Sequence, residues 1–309
     1  MGSRAVFGSA MLELASQRDD VYVLSADLII SSGLDRFSKA YPDRCFNVGI
    51  AEQNLIGMAA GMAHDGAAVF ATSFAPFVSM RAGEQVRVNL GCMGLNVKVV
   101  GISSGLEIAH FGNSHYGLED ISVMRSIPNI TVLCPADGAE IIKVVFAAAE
   151  TRGPVYIRLT GGANTPPVHA DDYEFIIGKS IKLRDGNDIT IIAHGAMVYH
   201  SIRAAEILQN NGISASVVNM HTVKPLDMAA VDEAALKGPV VTVEEHSVIG
   251  GLGGAVAERK STLKNAFPQL FIGLPDIYGK PGDYSYLLEK YGLTGELIAK
   301  KIMEFLCQM

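Results

Sequence analysis

Short apolar runs rich in β-branched residues alternate along this chain with longer stretches of helical period, and that alternation leaves few architectures open. A strand, a helix and a second strand in succession form a parallel pair whose connecting helix covers one face of the sheet. The pattern predicts strands over 21–25, 67–71, 97–102, 131–134 and 155–159, with helices over 9–18, 54–64, 76–89 and 139–151. At Gly161-Gly162-Ala163-Asn164-Thr165-Pro166-Pro167 glycine and proline interrupt regular structure, and an acidic stretch reaches Tyr173 before a strand pattern resumes. Beyond it, strands are expected over 188–193, 214–219 and 240–244, and helices over 199–210 and 253–263. The expected fold class is therefore α/β, with two domains of mainly parallel sheets flanked by helices. Residues 1–163 form the first, 164–186 a linker, and 187–309 the second, smaller domain. The halves share a fold class without a sequence repeat.

At 309 residues the chain is long enough for about two domains. Hydrophobic residues make up 49% and charged residues 18%, which excludes a disordered or fibrous chain. The net charge of −7 comes from interspersed acids and bases. No run of lysine or arginine marks a nucleic-acid or membrane surface, so neither is expected as a partner. Cys45, Cys92, Cys134 and Cys307 lie far apart with no Cys-x-x-Cys pair, which argues against a zinc site and for reduced thiols in a cytosol. No segment reaches the roughly 18 apolar residues of a membrane span, and no signal-peptide pattern follows the first four residues. A cytoplasmic location is the expectation.

The run Phe46-Asn47-Val48-Gly49-Ile50-Ala51-Glu52-Gln53-Asn54 drives a carboxylate into the start of an apolar, glycine-studded segment over 55–63. Glu52 should open a buried helix. As a first-turn glutamate it would be favoured by the helix dipole. As a desolvated carboxylate without a charged partner, its pKa would shift upward, and it could trade a proton near neutral pH. The segment resembles the one that carries the catalytic glutamate of transketolase-type, thiamine-diphosphate-dependent enzymes. The resemblance implies a pyrimidine-binding domain followed by the family's C-terminal domain, with Glu52 protonating the aminopyrimidine ring of the cofactor.

Thr72-Ser73-Phe74-Ala75-Pro76-Phe77 places two aromatic rings just after a strand, where most rings are simply core. Transketolases carry two phenylalanines at this spacing, which implies that Phe74 stacks on the cofactor pyrimidine and Phe77 lines the pocket. A glycine-flanked loop, His110-Phe111-Gly112-Asn113-Ser114-His115-Tyr116-Gly117, lies between a strand and a helix, where open α/β sheets carry their sites. The following Arg125-Ser126-Ile127-Pro128-Asn129 also resembles transketolase, and counting back from it sets His115 on the histidine of the family's Gly-Pro-Thr-His-Gln loop. Imidazole suits proton exchange with substrate hydroxyls near pH 7. His115 is the second catalytic candidate; His110 has no family counterpart.

Departures from the family pattern concern the substrate. Phe111 stands where sugar-phosphate transketolases have an aspartate on a substrate hydroxyl, so an apolar wall replaces a polar contact. Ser103 falls where the family has a phosphate-binding histidine. The family's phosphate-gripping arginine should fall near Gly161, whereas Arg158 lies three residues earlier. Arg4 and Ser31 fall on an N-terminal arginine and a serine that touch the substrate phosphate, and Asp27 fits the aspartate of the Ser-Ala-Asp-Leu segment near the cofactor. Arginine can clamp phosphate or sulfonate oxygens in bidentate fashion. The resemblance thus implies an anionic sugar as small-molecule substrate.

In the second half, Glu244-Glu245-His246-Ser247-Val248-Ile249-Gly250-Gly251-Leu252-Gly253-Gly254 lacks the spacing of a dinucleotide-binding loop and resembles the C-terminal domain of transketolase and of 2-oxo-acid dehydrogenase β chains. His246 and His221 read as structural. The family's diphosphate-binding domain, with its Gly-Asp-Gly and downstream Asn, is missing: Asp185-Gly186-Asn187-Asp188 has the wrong order. Mg2+, suited to octahedral oxygen ligands, would accordingly be held mainly by a separate N-terminal transketolase subunit, in an α2β2 assembly, and no metal ligand is assigned here. The expectation is the C-terminal subunit of a split transketolase moving a two-carbon ketol unit. The rivals are a 2-oxo-acid dehydrogenase β subunit and a non-catalytic module of this fold.

Overall fold

The computed structural model describes residues 2–161, 165–169 and 172–309. Strands β1 (Val21–Ser25), β2 (Cys45–Asn47), β3 (Ala68–Phe74), β4 (Val97–Ile102), β5 (Thr131–Leu133) and β6 (Val155–Arg158) run parallel in the order β5-β6-β4-β3-β1-β2. Strands β7 (Ile181–Arg184), β8 (Ile189–Ala193), β9 (Ala215–Asn219), β11 (Val240–Ser247) and β12 (Gln269–Leu274) form a second sheet in the order β12-β11-β8-β9-β7. It is parallel except for β7, which runs antiparallel to β9. The remaining strand, β10 (Thr222–Lys224), leaves the second half and pairs antiparallel with β5 as the seventh strand of the first sheet. The expected α/β class with two mainly parallel, helix-flanked sheets is what the chain adopts.

Strands β4, β6 and β8 are buried at every position, as a parallel sheet covered on both faces requires. In β3, Ala68 and Phe70 face the helices Ser3–Gln17 and Gly138–Glu150 together with Phe7, Leu14 and Val145. Val69 and Ala71 face the other way, against Leu55, Ile56, Val78 and Leu90. Each large side chain so enclosed contributes about 1.5–3 kcal/mol from burial. The helix Gly138–Glu150 starts where the Asp137 side chain accepts a hydrogen bond from the Glu140 amide at 2.9 Å, one of the orphan donors of a helix start.

The first helix begins at Ser3, ahead of the expected 9, and the helix expected over 76–89 is a stretch from Phe77 to Cys92 with wide π turns at both ends. Elements too short for a periodic signal, such as β2, β10 and the helix Asp35–Ala40, went unpredicted. Strand β7 forms inside the stretch expected to be linker, while the boundary expected between 163 and 164 lies outside the described residues. Among the described residues no helix is long and apolar enough to cross a membrane.

Candidate functional site

Four neighbouring parallel strands, β4, β3, β1 and β2, send their C-terminal loops to one edge of the first sheet. That edge is where open parallel sheets collect ligands. The loop after β1 carries Asp27 and Ser31; the loop after β2 leads into Glu52; Phe74 ends β3; and the loop after β4 carries Ser103, Phe111 and His115.

Glu52 opens the helix Glu52–His64 and is 2% exposed. Leu55, Ile56, Ala59, Ala60 and Ala63 bury the same face, whereas Gln53, Asn54, Gly57, Met58 and Gly61 face outward, so the helix is buried on one side and not all round. The carboxylate accepts a hydrogen bond from the Ser73 hydroxyl at 3.1 Å and from Arg81 Nη1 at 2.8 Å. The expectation of an acid without a charged partner is therefore corrected: Arg81 supplies one. Its side chain is 47% exposed, and its guanidinium lies 4.1 Å from the Phe77 ring centroid. Sequence reasoning passed over Arg81 and Ser73; Arg81 stands four residues after Phe77 in the same helical stretch, the one local hint of its place.

Phe74, Phe77, Phe111 and His115 form one aromatic cluster. The His115 ring centroid lies 5.8 Å from Phe74, 5.2 Å from Phe77 and 4.9 Å from Phe111, the first two edge-on. Phe74 and Phe77 meet edge to face at 6.0 Å. His115 Nδ1 shares a hydrogen bond with the Ser114 hydroxyl at 2.9 Å, and Phe111 is 65% exposed. The loop is pinched at its base by paired backbone hydrogen bonds between Gly105 and Gly117, at 2.9 and 3.1 Å. Neither glycine can be replaced freely: a Cβ at Gly117 would stand 2.8 Å from Ala75 Cβ, and one at Gly105, where φ is +69°, would stand 2.4 Å from Glu245 Oε1.

Asp27 sits exposed at φ 62° and exchanges hydrogen bonds with the Asn47 side chain, both at 3.0 Å. Arg4 donates to the Ser31 carbonyl at 3.2 Å and lies 3.5 Å from Glu107, which the sequence analysis did not single out. Ser103 is 2% exposed in a left-handed conformation, φ 51°, at the end of β4. Arg158 is the clear correction. Expected at the substrate, it has no exposed side-chain surface: it donates to Asp120 at 2.8 Å and to the carbonyls of Gly117 and Glu245, both at 2.9 Å. It braces the loop from beneath. Burial alone would raise the Asp120 pKa, but Arg158, His246 and a 2.6 Å hydrogen bond from Tyr156 hold it below the usual carboxylate range.

The second half also reaches under the loop. Glu245, on β11, accepts from the Leu106 amide at 2.6 Å and from the Tyr284 hydroxyl at 2.9 Å, and burial pushes its carboxyl up to about 7. His246 and His221 are fully buried, and each leaves Nε2 without a hydrogen-bond partner. His110 is exposed beside Asp283, 3.6 Å away. Exposed apolar side chains border the sheet edge, among them Ile30 at 82% and Ile50 at 77%. Among the described residues no group of three or more His, Cys, Asp or Glu stands together as a metal site.

Comparison with known proteins matches residues 1–165 to the transketolase pyrimidine-binding domain and residues 178–298 to the transketolase C-terminal domain. A protein of Methanocaldococcus jannaschii named as a transketolase C-terminal section is 45% identical over 305 residues, covering 98% of this chain and 96% of that one. A 6-deoxy-6-sulfo-D-fructose transketolase subunit of a Clostridium species is 42% identical, covering 97% of this chain and 93% of its own length. A solved structure described as a split gene transketolase, an inactive β4 tetramer, superposes with a TM-score of 0.90 at 42% identity and covers 98% of each chain.

Proposed function

The chain belongs to the transketolase family, and from that premise we propose that it is the C-terminal subunit of a split transketolase. It acts with a second chain to transfer a two-carbon ketol unit from an anionic ketose, phosphorylated or sulfonated, to an aldose phosphate. The observation that carries this reading is the gathering of Glu52, Phe74, Phe77 and His115 at one sheet edge bordered by exposed apolar side chains.

These residues fit thiamine diphosphate: a half-buried phenylalanine ring is available for offset stacking on the pyrimidine, and a buried carboxyl at the start of the helix Glu52–His64 is available for its ring nitrogen. When bound, the cofactor supplies the nucleophilic carbon and the electron sink for breaking and making the carbon–carbon bond. Glu52 offers its carboxyl to the pyrimidine ring nitrogen for proton exchange, with Ser73 bonded to one of its oxygens and Arg81 to the other. Phe74 would stack on the pyrimidine and Phe77 would line its pocket, with Asp27 on the cofactor side. His115 exchanges a proton between its imidazole and substrate hydroxyls. Arg4 and Ser31 bind the far end of the sugar, Ser103 contributes from the end of β4, and Phe111 presents an apolar wall where a hydroxyl contact is usual.

The diphosphate and Mg2+ contacts are assigned to the partner chain, a reading supported by the likeness to a transketolase C-terminal section and to a split gene transketolase. The outward face of Gly57, Met58 and Gly61, with Ile30 and Ile50, is where further chains of an α2β2 assembly cover the site. The test is to mix this chain with a diphosphate-domain partner, thiamine diphosphate and Mg2+, and to assay ketol transfer with phosphorylated and sulfonated ketoses. Transfer that needs both chains supports the reading; decarboxylation of a 2-oxo acid, or no cofactor binding by the mixture, overturns it.

A further inference from the structure

A cavity of about 300 Å3 opens beside the loop after β4, lined by Arg4, Ile30, Ser31, Gly33 and Glu107 among others. Three separate elements build it: the first turn of the helix Ser3–Gln17, the loop after β1 and the loop after β4. Arg4 leans on the Ser31 carbonyl, and its Nε lies 3.5 Å from Glu107 Oε1. The two side chains differ in exposure, 42% for Arg4 and 6% for Glu107, and Glu107 Oε2 is buried without a hydrogen-bond partner. An exposed arginine at the wall of a cavity suits an anion. A carboxylate beside it defeats that purpose, unless it carries a proton and becomes a donor.

Burial pushes the Glu107 carboxyl up to about 8; Glu245 adds to the rise and Arg4 opposes it. The charged and titratable groups around Glu107 are Arg4 from the first helix, Glu245 from β11, and Tyr284 from the helix Tyr284–Tyr291, whose hydroxyl is spent on Glu245.

We propose that Glu107 sets the charge of the end group this cavity accepts: as a carboxylic acid it donates a hydrogen bond to an anionic end of the sugar beside Arg4, and as a carboxylate it excludes that end. The proposal rests on the reading of the chain as a ketol-transferring subunit and adds to it a residue that selects substrate without touching the reacting carbons. Once the acid has ionised, binding an anion takes up one proton from solution, and affinity falls as that proton becomes scarce.

The test uses the two-chain enzyme with thiamine diphosphate and Mg2+, and two ketose donors of one carbon skeleton, one ending in a sulfonate and one in a hydroxyl. Sulfonate does not titrate near neutrality, so any pH dependence in the ratio of their kcat/KM values belongs to the protein. Above about pH 8 that ratio should fall about tenfold per pH unit, through KM with kcat unaffected, and Glu107→Gln should make it flat. A flat ratio in the unaltered enzyme, or the same fall in Glu107→Gln, overturns the proposal. If neither donor reacts, the functional reading fails, and calorimetric titration with methanesulfonate still decides the role of Glu107. Binding that is tighter at about pH 7 than at about pH 9, and independent of pH in Glu107→Gln, supports the proposal; any other pattern overturns it.

Discussion

Two carboxylate–arginine pairs in the first domain have the same 2.8 Å separation, yet they differ in how the arginine is held. In Asp120–Arg158 both side chains have no exposed surface, and every donor Arg158 uses holds a piece of backbone or Asp120 itself. In Glu52–Arg81 the acid is enclosed but the arginine is about half exposed, resting on an aromatic ring. A buried cation cannot leave its carboxylate without a large desolvation imbalance, whereas an exposed one exchanges its partner for water at little cost. Burial of an acid therefore does not by itself distinguish a reactive carboxyl from a structural one. What differs between Glu52 and Asp120 is whether the counter-charge is anchored.

The largest effect that would separate the pairs is on turnover. Glu52→Ala should reduce ketol transfer by about 10²–10⁴-fold, the usual range for losing a proton-transferring group, while size-exclusion chromatography finds the two-chain assembly intact. Near-normal turnover in that variant would remove Glu52 from the chemistry. The reciprocal variant, Arg158→Ala, leaves Asp120 buried and unpaired, and should cost about 3–5 kcal/mol of stability in denaturant unfolding. A loss below about 1 kcal/mol would mean that the pair is not the anchor described here.

Acid titration sharpens the contrast. Asp120 is a stronger acid folded than unfolded, so its stabilising contribution is present above about pH 4 and is lost as the pH falls below it. Asp120→Asn should flatten the decline of stability in that window, followed by thermal unfolding at a series of acidic pH values. Phe74→Ala removes a stacking partner worth about 0.5–1.5 kcal/mol beyond burial, so thiamine diphosphate should bind roughly twofold to tenfold more weakly in a titration of the assembled enzyme. The smallest expected effect is on stability in Arg81→Ala: it leaves Glu52 enclosed but still bonded to Ser73, and by denaturant unfolding it should cost less than Arg158→Ala, which removes a fully buried guanidinium.

Period and composition made the two-domain parallel α/β plan legible, because buried parallel strands are near-continuous apolar runs and their helices are long enough to declare a period. Strands of three residues such as β2 and β10 carry no such signal and take their conformation from the neighbours they pair with. The site divided in the same way. Phe74, Phe77 and His115 were found through local segments resembling a family, and the fold brings them together. Arg158 was misjudged because its neighbour in the chain gives no warning of Asp120, 38 positions earlier, which claims its guanidinium. Glu107 and Arg81 were missed because a charged residue in a loop or on a helix looks solvated until tertiary contacts enclose its surroundings.

Strand β10 gives the division of the chain into two halves a practical consequence. A fragment stopping at residue 165, where the pyrimidine-domain match ends, would strip the partner from Thr131–Leu133 and leave a row of open amide and carbonyl groups on an apolar edge. Such an edge recruits strands from other molecules. Truncation within the linker is therefore a recipe for aggregation rather than for an isolated domain, and a soluble minimal fragment has to continue through Lys224.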